Sequence, residues 1–355
     1  MSYINPRAKV FQHLDHLVAL RDGRKPVPVN VEIDLSNRCD LKCAGCHFAY
    51  THTRGPWAGK ADKPLRHIDG GDLMPLPLAL SMLDQLAAAG VKSVTWTGGG
   101  EPTLHPYFDT IVRHAAHRGL QQGIYTHGGH ISAERADLLK TMCAWVYISL
   151  DAANADAYLA YKGVNRYDRV LAGMHRLVNA PGQATLGVGY LLSRDNYREQ
   201  YNMVQAVRGT GVDYVQFRPL VLYAQDDPGA PAEDTAWITD CVALLRQWQG
   251  DPFVIADLDR FLAYRDWQGH GYATCRWSAL QTVITPNGKV WRCTNTREHP
   301  DALLGDLATE PFAALWARAG GPCAVTAGCR VLCRGHIANQ TLDGVLRPTP
   351  HANFV

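Results

Sequence analysis

No stretch of this 355-residue chain is apolar for the ~18 residues that a membrane span needs, so no membrane partner is expected. The first eleven residues, Met1-Ser-Tyr-Ile-Asn-Pro-Arg-Ala-Lys-Val-Phe11, hold no continuous apolar core and no cleavage site, and a cytoplasmic location is predicted. A surplus of charge is also missing. With 35 basic and 33 acidic residues the net charge is +2, which by itself calls for no polyanionic partner. The glycine-rich turn at 98–100 is not followed by Gly-Lys-Ser/Thr, which excludes a phosphate-binding P-loop. What the chain does have is cysteine. Ten of them in a chain expected in a reducing compartment favour metal or redox chemistry over a disulfide framework. Cys143 and Cys241 stand apart from the others and read as buried apolar residues.

Cys39, Cys43 and Cys46 form C-x3-C-x2-C directly after the alternating run Val29-Asn-Val-Glu-Ile-Asp-Leu35. A cubane 4Fe-4S cluster normally takes four thiolates, so three leave one iron open to a small chelating molecule. Two other readings compete. One is a zinc site with His47 as a fourth ligand, although zinc prefers paired Cys-x2-Cys or Cys/His groups closing a tetrahedron; the other is three cysteines that are merely buried together. The position at the end of a predicted strand, with a second cysteine group downstream, favours iron–sulfur.

The chain organises into a helical lead-in (1–28), a β/α region (29–220), a helical connector (221–272), a cysteine-rich region (273–340) and a tail (341–355). Periodicity predicts helices over 76–89, 107–118, 133–141, 167–179 and 196–208. Strands are predicted over 91–97, 123–126, 145–150, 185–192 and 214–217, and a further helix over 233–249. Six strands separated by helices imply parallel units with right-handed crossovers. Between 51 and 72, His52, Arg54, Trp57, Lys60, Lys63, Arg66 and His67 read either as an anion-holding loop or as a solvated one.

The three cysteines resemble those of the radical S-adenosylmethionine (radical SAM) superfamily, whose fold is a partial (β/α)6 barrel. The resemblance covers about 29–220. It implies a 4Fe-4S cluster on Cys39, Cys43 and Cys46, with the methionine part of SAM on the open iron. Gly99, Gly100, Glu101 and Pro102 resemble the family's GGEP motif, which implies that they receive the SAM amino group. Ser149 and Asp151 look like the polar pair near the adenosyl ribose, although a residue after a strand is equally a helix cap. Two positions depart from the pattern. The family's aromatic residue before the last cysteine is Gly45 here, with His47 or Phe48 as substitutes, and its Thr-Asn-Gly is Thr126-His127-Gly128. His127 is a candidate acid or base, with a structural histidine as the alternative. Arg218 is a candidate for a substrate or SAM carboxylate, with a surface ion pair as the alternative.

Cys275 and Cys293 stand in C-x12-G-x4-C around a predicted hairpin turn at 285–289, and Cys323, Cys329 and Cys333 follow. This resembles the SPASM/Twitch extension. It implies one auxiliary 4Fe-4S cluster on Cys275, Cys293, Cys329 and Cys333, with Cys323 as a further possible ligand and a structural zinc as the alternative. The resemblance implies reductive cleavage of SAM to a 5′-deoxyadenosyl radical, hydrogen abstraction from a substrate carbon, and a flavodoxin or ferredoxin as electron donor. A peptide, amino-acid or sugar-type metabolite is the expected substrate. The alternatives are a nucleotide or amino-acyl-modified base in phage DNA, and a non-catalytic metal-stabilised binding protein.

Overall fold

The computed structural model describes residues 6–46, 73–222, 230–297, 300–326 and 328–347. Two short helices, α1 (Pro6–Lys9) and α2 (Leu14–Arg21), lead into β1 (Asn30–Asp34). From there strand and helix alternate: α3 (Leu76–Ala89), β2 (Ser93–Thr97), α4 (Phe108–His117), β3 (Gln121–Thr126), α5 (Ala133–Met142) and β4 (Trp145–Ser149). Two helices, α6 (Ala155–Lys162) and α7 (Tyr167–Asn179), precede β5 (Thr185–Leu192), and α8 (Gln200–Val207) precedes β6 (Tyr214–Pro219). The rest comprises α9 (Trp237–Leu245), β7 (Val254–Ala256), α10 (Leu258–Arg265), β8 (Thr274–Cys275), β9 (Gln281–Ile284), β10 (Lys289–Trp291), β11 (Leu303–Asp306), α11 (Phe312–Ala319), β12 (Cys323–Ala324) and α12 (His336–Leu346).

Ten strands make one sheet in the order β11-β10-β9-β1-β2-β3-β4-β5-β6-β7, parallel from β9 to β7. This mostly parallel α/β architecture is the expected class. The helices cover one face because their apolar residues recur on one side: Phe108, Ile111, Val112 and Ala115 of α4 are buried, as are Ala79, Met82, Leu83 and Leu86 of α3. They pack on alternate strand residues such as Val31, Ile33, Val94, Trp96, Val146 and Ile148.

The opposite face of the sheet is polar and aromatic. It carries Glu32 and Asp34 of β1, Tyr125 of β3, Tyr147 of β4 and, on β6, Gln216 and Arg218, with Tyr125, Tyr147, Gly187 and Tyr214 in one cross-strand row. Glycine on this face makes room for rings. A Cβ at Gly123 would lie 2.0 Å from the Trp145 ring, and one at Gly189 would lie 2.0 Å from the Tyr147 hydroxyl.

The C-terminal part is tied into this sheet. The 285–289 turn forms with Gly288 at φ +80°, and the hairpin β9–β10 adds to β1 through parallel pairing of β9. The 272/273 boundary therefore divides strands of a single sheet. Residues 221–272 supply more than the predicted helix, since β7 extends the sheet beyond β6 and α10 follows it. The predicted 233–249 helix is α9 continued by a 3-10 turn, Arg246–Trp248. Likewise α12 runs across the 340/341 boundary, and its Ala338 and Leu342 pack with Val10 and Leu17 of the lead-in.

Candidate functional site

The cysteine loop leaves the carboxyl end of β1, the end where parallel sheets bind ligands. Backbone hydrogen bonds hold it from two sides. Gly100 N–H donates to the Ser36 carbonyl (2.9 Å) and Glu101 N–H to that of Arg38 (2.8 Å). Lys42 and Ala44 N–H donate to the carbonyls of Lys162 and Tyr161, both at 2.8 Å. These last two acceptors lie in the final turn of α6, where helix carbonyls lack intrahelical partners. Thus the cysteine loop caps α6, a helix whose Asn154 and Gly163 are start and stop signals legible in the sequence.

The 98–100 turn has glycines because it lies on the cysteine loop. A Cβ at Gly99 would come within 2.0 Å of the Asn37 side chain, and one at Gly100 within 2.1 Å of the Arg38 carbonyl. Glu101 is buried, and its Oε1 accepts from Thr103 N–H (3.2 Å), Thr103 Oγ1 (2.6 Å) and Thr126 Oγ1 (2.6 Å). Oε2 takes one backbone donor, His127 N–H at 2.8 Å, and lies 3.6 Å from His127 Nε2. The carboxylate therefore ties the turn to the end of β3, and Oε2 keeps room for a further donor. Pro102 follows at the start of a 3-10 turn.

Asp40, next to Cys39, is the hub that the sequence did not disclose. It accepts from His127 Nε2 (2.9 Å), His130 Nε2 (2.7 Å) and Arg166 (2.9 Å). Burial would raise its carboxyl, but the two imidazole hydrogen bonds outweigh that and hold it well below the usual carboxylate range. The tautomers follow from the partners. Gly129 N–H donates to His127 Nδ1 (3.0 Å) and Arg169 to His130 Nδ1 (3.2 Å), so each ring carries its proton on Nε2, toward Asp40. His127 is thus engaged on both nitrogens.

Ser149 and Asp151 meet at 2.6 Å, and Lys162 donates to Asp151 Oδ2 at 2.6 Å with both residues buried. The other carboxylate oxygen accepts Leu191 N–H (2.8 Å), and Asp151 itself sits at φ +58°. Burial disfavours the Lys162 charge, yet Asp151 and Cys43 more than compensate and its ammonium is held protonated. The place of an aromatic residue at position 45 is filled from elsewhere. A Cβ at Gly45 would be 2.5 Å from the Tyr161 hydroxyl and 2.7 Å from Leu220. His47, Phe48 and the basic loop with His52, Arg54, Trp57, Lys60, Lys63, Arg66 and His67 lie outside the described residues.

Cys39, Cys43 and Cys46 are all partly buried, and burial pushes the Cys43 thiol up to about 12 and that of Cys39 further. Only Cys39, Asp40 and His127, among the described residues, bring three metal-ligating atoms within 4.8 Å of one another. A tetrahedral zinc with bonds of ~2.3 Å would draw its thiolates to about 3.8 Å. The three thiols are not gathered within 4.8 Å of one another, which suits separate irons of one cluster, and their softness suits iron–sulfur.

The second group is assembled from distant segments. Cys275 of β8 faces Cys323 of β12 in antiparallel register, and their thiols act on one another. Cys293, after β10, feels the Cys329 thiol, and Cys333 feels both of these and acts on Cys275. The hairpin therefore does not set Cys275 against Cys293 alone; Cys323 is the immediate neighbour of Cys275, and five thiols share the region. Arg218 is no surface ion pair. Its guanidinium lies 4.9 Å over the Tyr147 ring on the polar face.

Residues 33–207 match the model of the Radical SAM superfamily. A "Probable GTP 3',8-cyclase" of Saccharolobus solfataricus is 24% identical over 54% of this chain and 56% of its own length. A "PqqA peptide cyclase" of Streptomyces rochei is 27% identical over 84% of this chain and 78% of its own. The alignments span about half the length of the GTP cyclase-type relatives. Among solved structures, Streptococcus suis SuiB bound to precursor peptide SuiA superposes with a TM-score of 0.61 at 16% identity, over 89% of this chain and 71% of that one, which establishes the shared fold.

Proposed function

Residues 33–207 are a radical SAM domain, and on that premise we propose that the chain is an enzyme that cleaves SAM reductively and abstracts hydrogen from a peptide or amino-acid substrate. The observation that carries this reading is the loop of Cys39, Cys43 and Cys46, three thiols for a four-iron cluster, clamped between the 98–100 turn and the end of α6. When bound, a reduced cluster with SAM supplies the electron that breaks the carbon–sulfur bond and so a 5′-deoxyadenosyl radical.

The chain's own residues prepare the place. Cys39, Cys43 and Cys46 hold the cluster, and Asp40, through His127, His130 and Arg166, fixes the loop that carries them. Glu101 Oε2 and the backbone of Gly99 and Gly100 receive the amino group of SAM, a charge-assisted contact. Ser149 and Asp151, locked by Lys162, face the ribose, while Tyr161 and Leu220 form the wall beside Gly45. The five C-terminal cysteines hold one auxiliary cluster, for which Cys275, Cys293, Cys329 and Cys333 supply four thiolates and Cys323 a neighbouring fifth. A flavodoxin or ferredoxin is the proposed electron donor. The likeness to a peptide cyclase over 84% of the chain favours a peptide substrate; the GTP cyclase relatives support a nucleotide as the second reading.

Anaerobic reconstitution with iron and sulfide, followed by assay for 5′-deoxyadenosine with dithionite as reductant, tests the proposal. Formation that requires the first three cysteines is expected. A reconstituted protein that holds clusters but never cleaves SAM would return both cysteine groups to a structural role.

A further inference from the structure

Four arginines approach the polar face of the sheet, and acids neutralise two of them. Arg297 pairs with Asp34 and Arg334 with Glu32. Arg218 and Arg260 have no carboxylate at ion-pair distance among the described residues. Arg218 lies 4.9 Å over the Tyr147 ring and 5.8 Å from that of Tyr125, and its Nε is buried without a hydrogen-bond partner. Arg260, from α10, donates once to the Leu332 carbonyl (3.1 Å), and its charge interacts unfavourably with that of Arg218.

The pair lies between the two cysteine groups. The Leu332 carbonyl that Arg260 reaches directly precedes Cys333, and Arg334 of the same segment meets Arg218 over the Tyr125 ring, at 5.6 and 5.8 Å; Leu220, two residues after Arg218, lies against Gly45 beside Cys46. Burying two like charges together is costly unless an anion joins them. Rings cover the face of the Arg218 guanidinium, so its remaining donors point outward in one plane. Such a fork takes two oxygens of a carboxylate or of a phosphate side by side, and the likeness to a peptide cyclase over 84% of the chain favours the carboxylate.

We propose that Arg218 and Arg260 together bind a carboxylate of the substrate on the polar face of the sheet, between the two cysteine groups. This rests on the enzyme reading above and narrows it to substrates that carry a carboxylate beside the reacting carbon. It also gives Arg260 a function that no sequence pattern announced.

The test uses reconstituted holoenzyme with SAM, titrated calorimetrically with N-acetyl-alanyl-alanine, its C-terminal amide and inorganic phosphate. The acid is expected to bind, and the amide and phosphate to leave its binding unchanged. Arg218→Gln and Arg260→Gln should each weaken the acid at least about tenfold, and Arg218→Lys less, because an ammonium keeps the charge but loses the fork. Should Arg218→Gln fail to fold by circular dichroism, Arg260→Gln and Arg218→Lys carry the test. The proposal is overturned if the acid does not bind or binds like the amide, if phosphate displaces it, or if both Gln variants bind it as wild type does. It is also overturned if Arg218→Gln weakens SAM as much as the acid, which would assign the site to the methionine carboxylate. Wild-type cleavage of SAM, measured on the same preparation, separates the two readings. Its absence sinks the enzyme reading, whereas its presence with no preference for acid over amide sinks only this one.

Discussion

The two cysteine groups are built in opposite ways. Cys39, Cys43 and Cys46 stand on one loop of eight residues whose backbone is pinned by Gly100 and Glu101 on one side and by the end of α6 on the other. The second five come from β8, the segment after β10, β12 and the 329–333 turn, so that neighbours in space, Cys275 and Cys323 for example, come from segments far apart in sequence. A local site survives loss of distant packing. A dispersed one depends on sheet register, because β8–β12 is only a two-residue ladder. The first group should therefore fail when its own thiols or the supports of its one loop are removed, and the second when any of its dispersed supports is.

The largest effect expected is from Cys39→Ala, Cys43→Ala and Cys46→Ala combined. Loss of about four irons per chain and of all SAM cleavage is expected, with circular dichroism unchanged because the loop's supports are backbone bonds. Unaltered cleavage would remove the contrast altogether. Next come single alanine substitutions across the second group. A cubane takes four thiolates and five are present, so one variant among Cys275, Cys293, Cys323, Cys329 and Cys333 should keep its iron. The other four should lose the auxiliary cluster and retain SAM cleavage without substrate. Iron and sulfide analysis with Mössbauer spectra reads the outcome, and five equal losses would refute a single four-thiolate site.

This contrast also explains what could be read from sequence. The alternation of strands and helices, the hairpin turn with Gly288 and the C-x3-C-x2-C spacing are local patterns, and the parallel sheet follows from them. The pairing of β9 with β1 is not local. Nothing near Gln281 announces that Glu32 will accept from Gln281, Thr294 and Arg334, joining residues more than 240 positions apart. For the same reason the neighbour of Cys275 is not legible in the sequence: the hairpin spacing points to Cys293, whereas strand register sets Cys323 opposite it. Asp40 is hidden for a different reason. Its role depends on His127, His130 and Arg166 converging from two later units.

A moderate effect is expected from Asp40→Asn, which sharpens the claim that the first group is locally held. The carboxylate receives three donors, and an amide can accept from fewer while presenting its own N–H groups to them. A loss of about 2–4 kcal/mol is expected, read by urea titration, with the first cluster losing iron to oxygen faster than the second. Because Asp40 is held below its unfolded value, its contribution is present above pH ~4 and lost as pH falls through its depressed folded value. An Asp40→Asn protein as stable as wild type at pH 7 would show that the backbone clamps suffice.

The smallest effect distinguishes the groups by pH. His336, buried at the start of α12, lies among Trp267 (5.0 Å), His270 (5.9 Å) and Tyr272 (5.6 Å), beside the second cysteine group. Burial first, then His270 and Arg260, lower its pKa to about 4. An unfolded histidine near 6.5 binds a proton throughout the window from pH 6.5 to about 4, while the folded one does not. The unfolded state thus binds more protons there, and stability falls as pH falls, by up to about 3 kcal/mol, with no further loss from this group below pH 4. His270, also lowered by burial, acts in the same direction. By the first group, His127 and His130 instead donate to the Asp40 carboxylate. Holoenzyme titrated with urea at pH 7, 6 and 5 should therefore release auxiliary iron first. His336→Leu should flatten the slope relative to wild type, which separates this effect from protonation of the thiolates themselves. Equal slopes in the two proteins would mean that the imidazole is already charged at pH 7 or reaches solvent in the folded state.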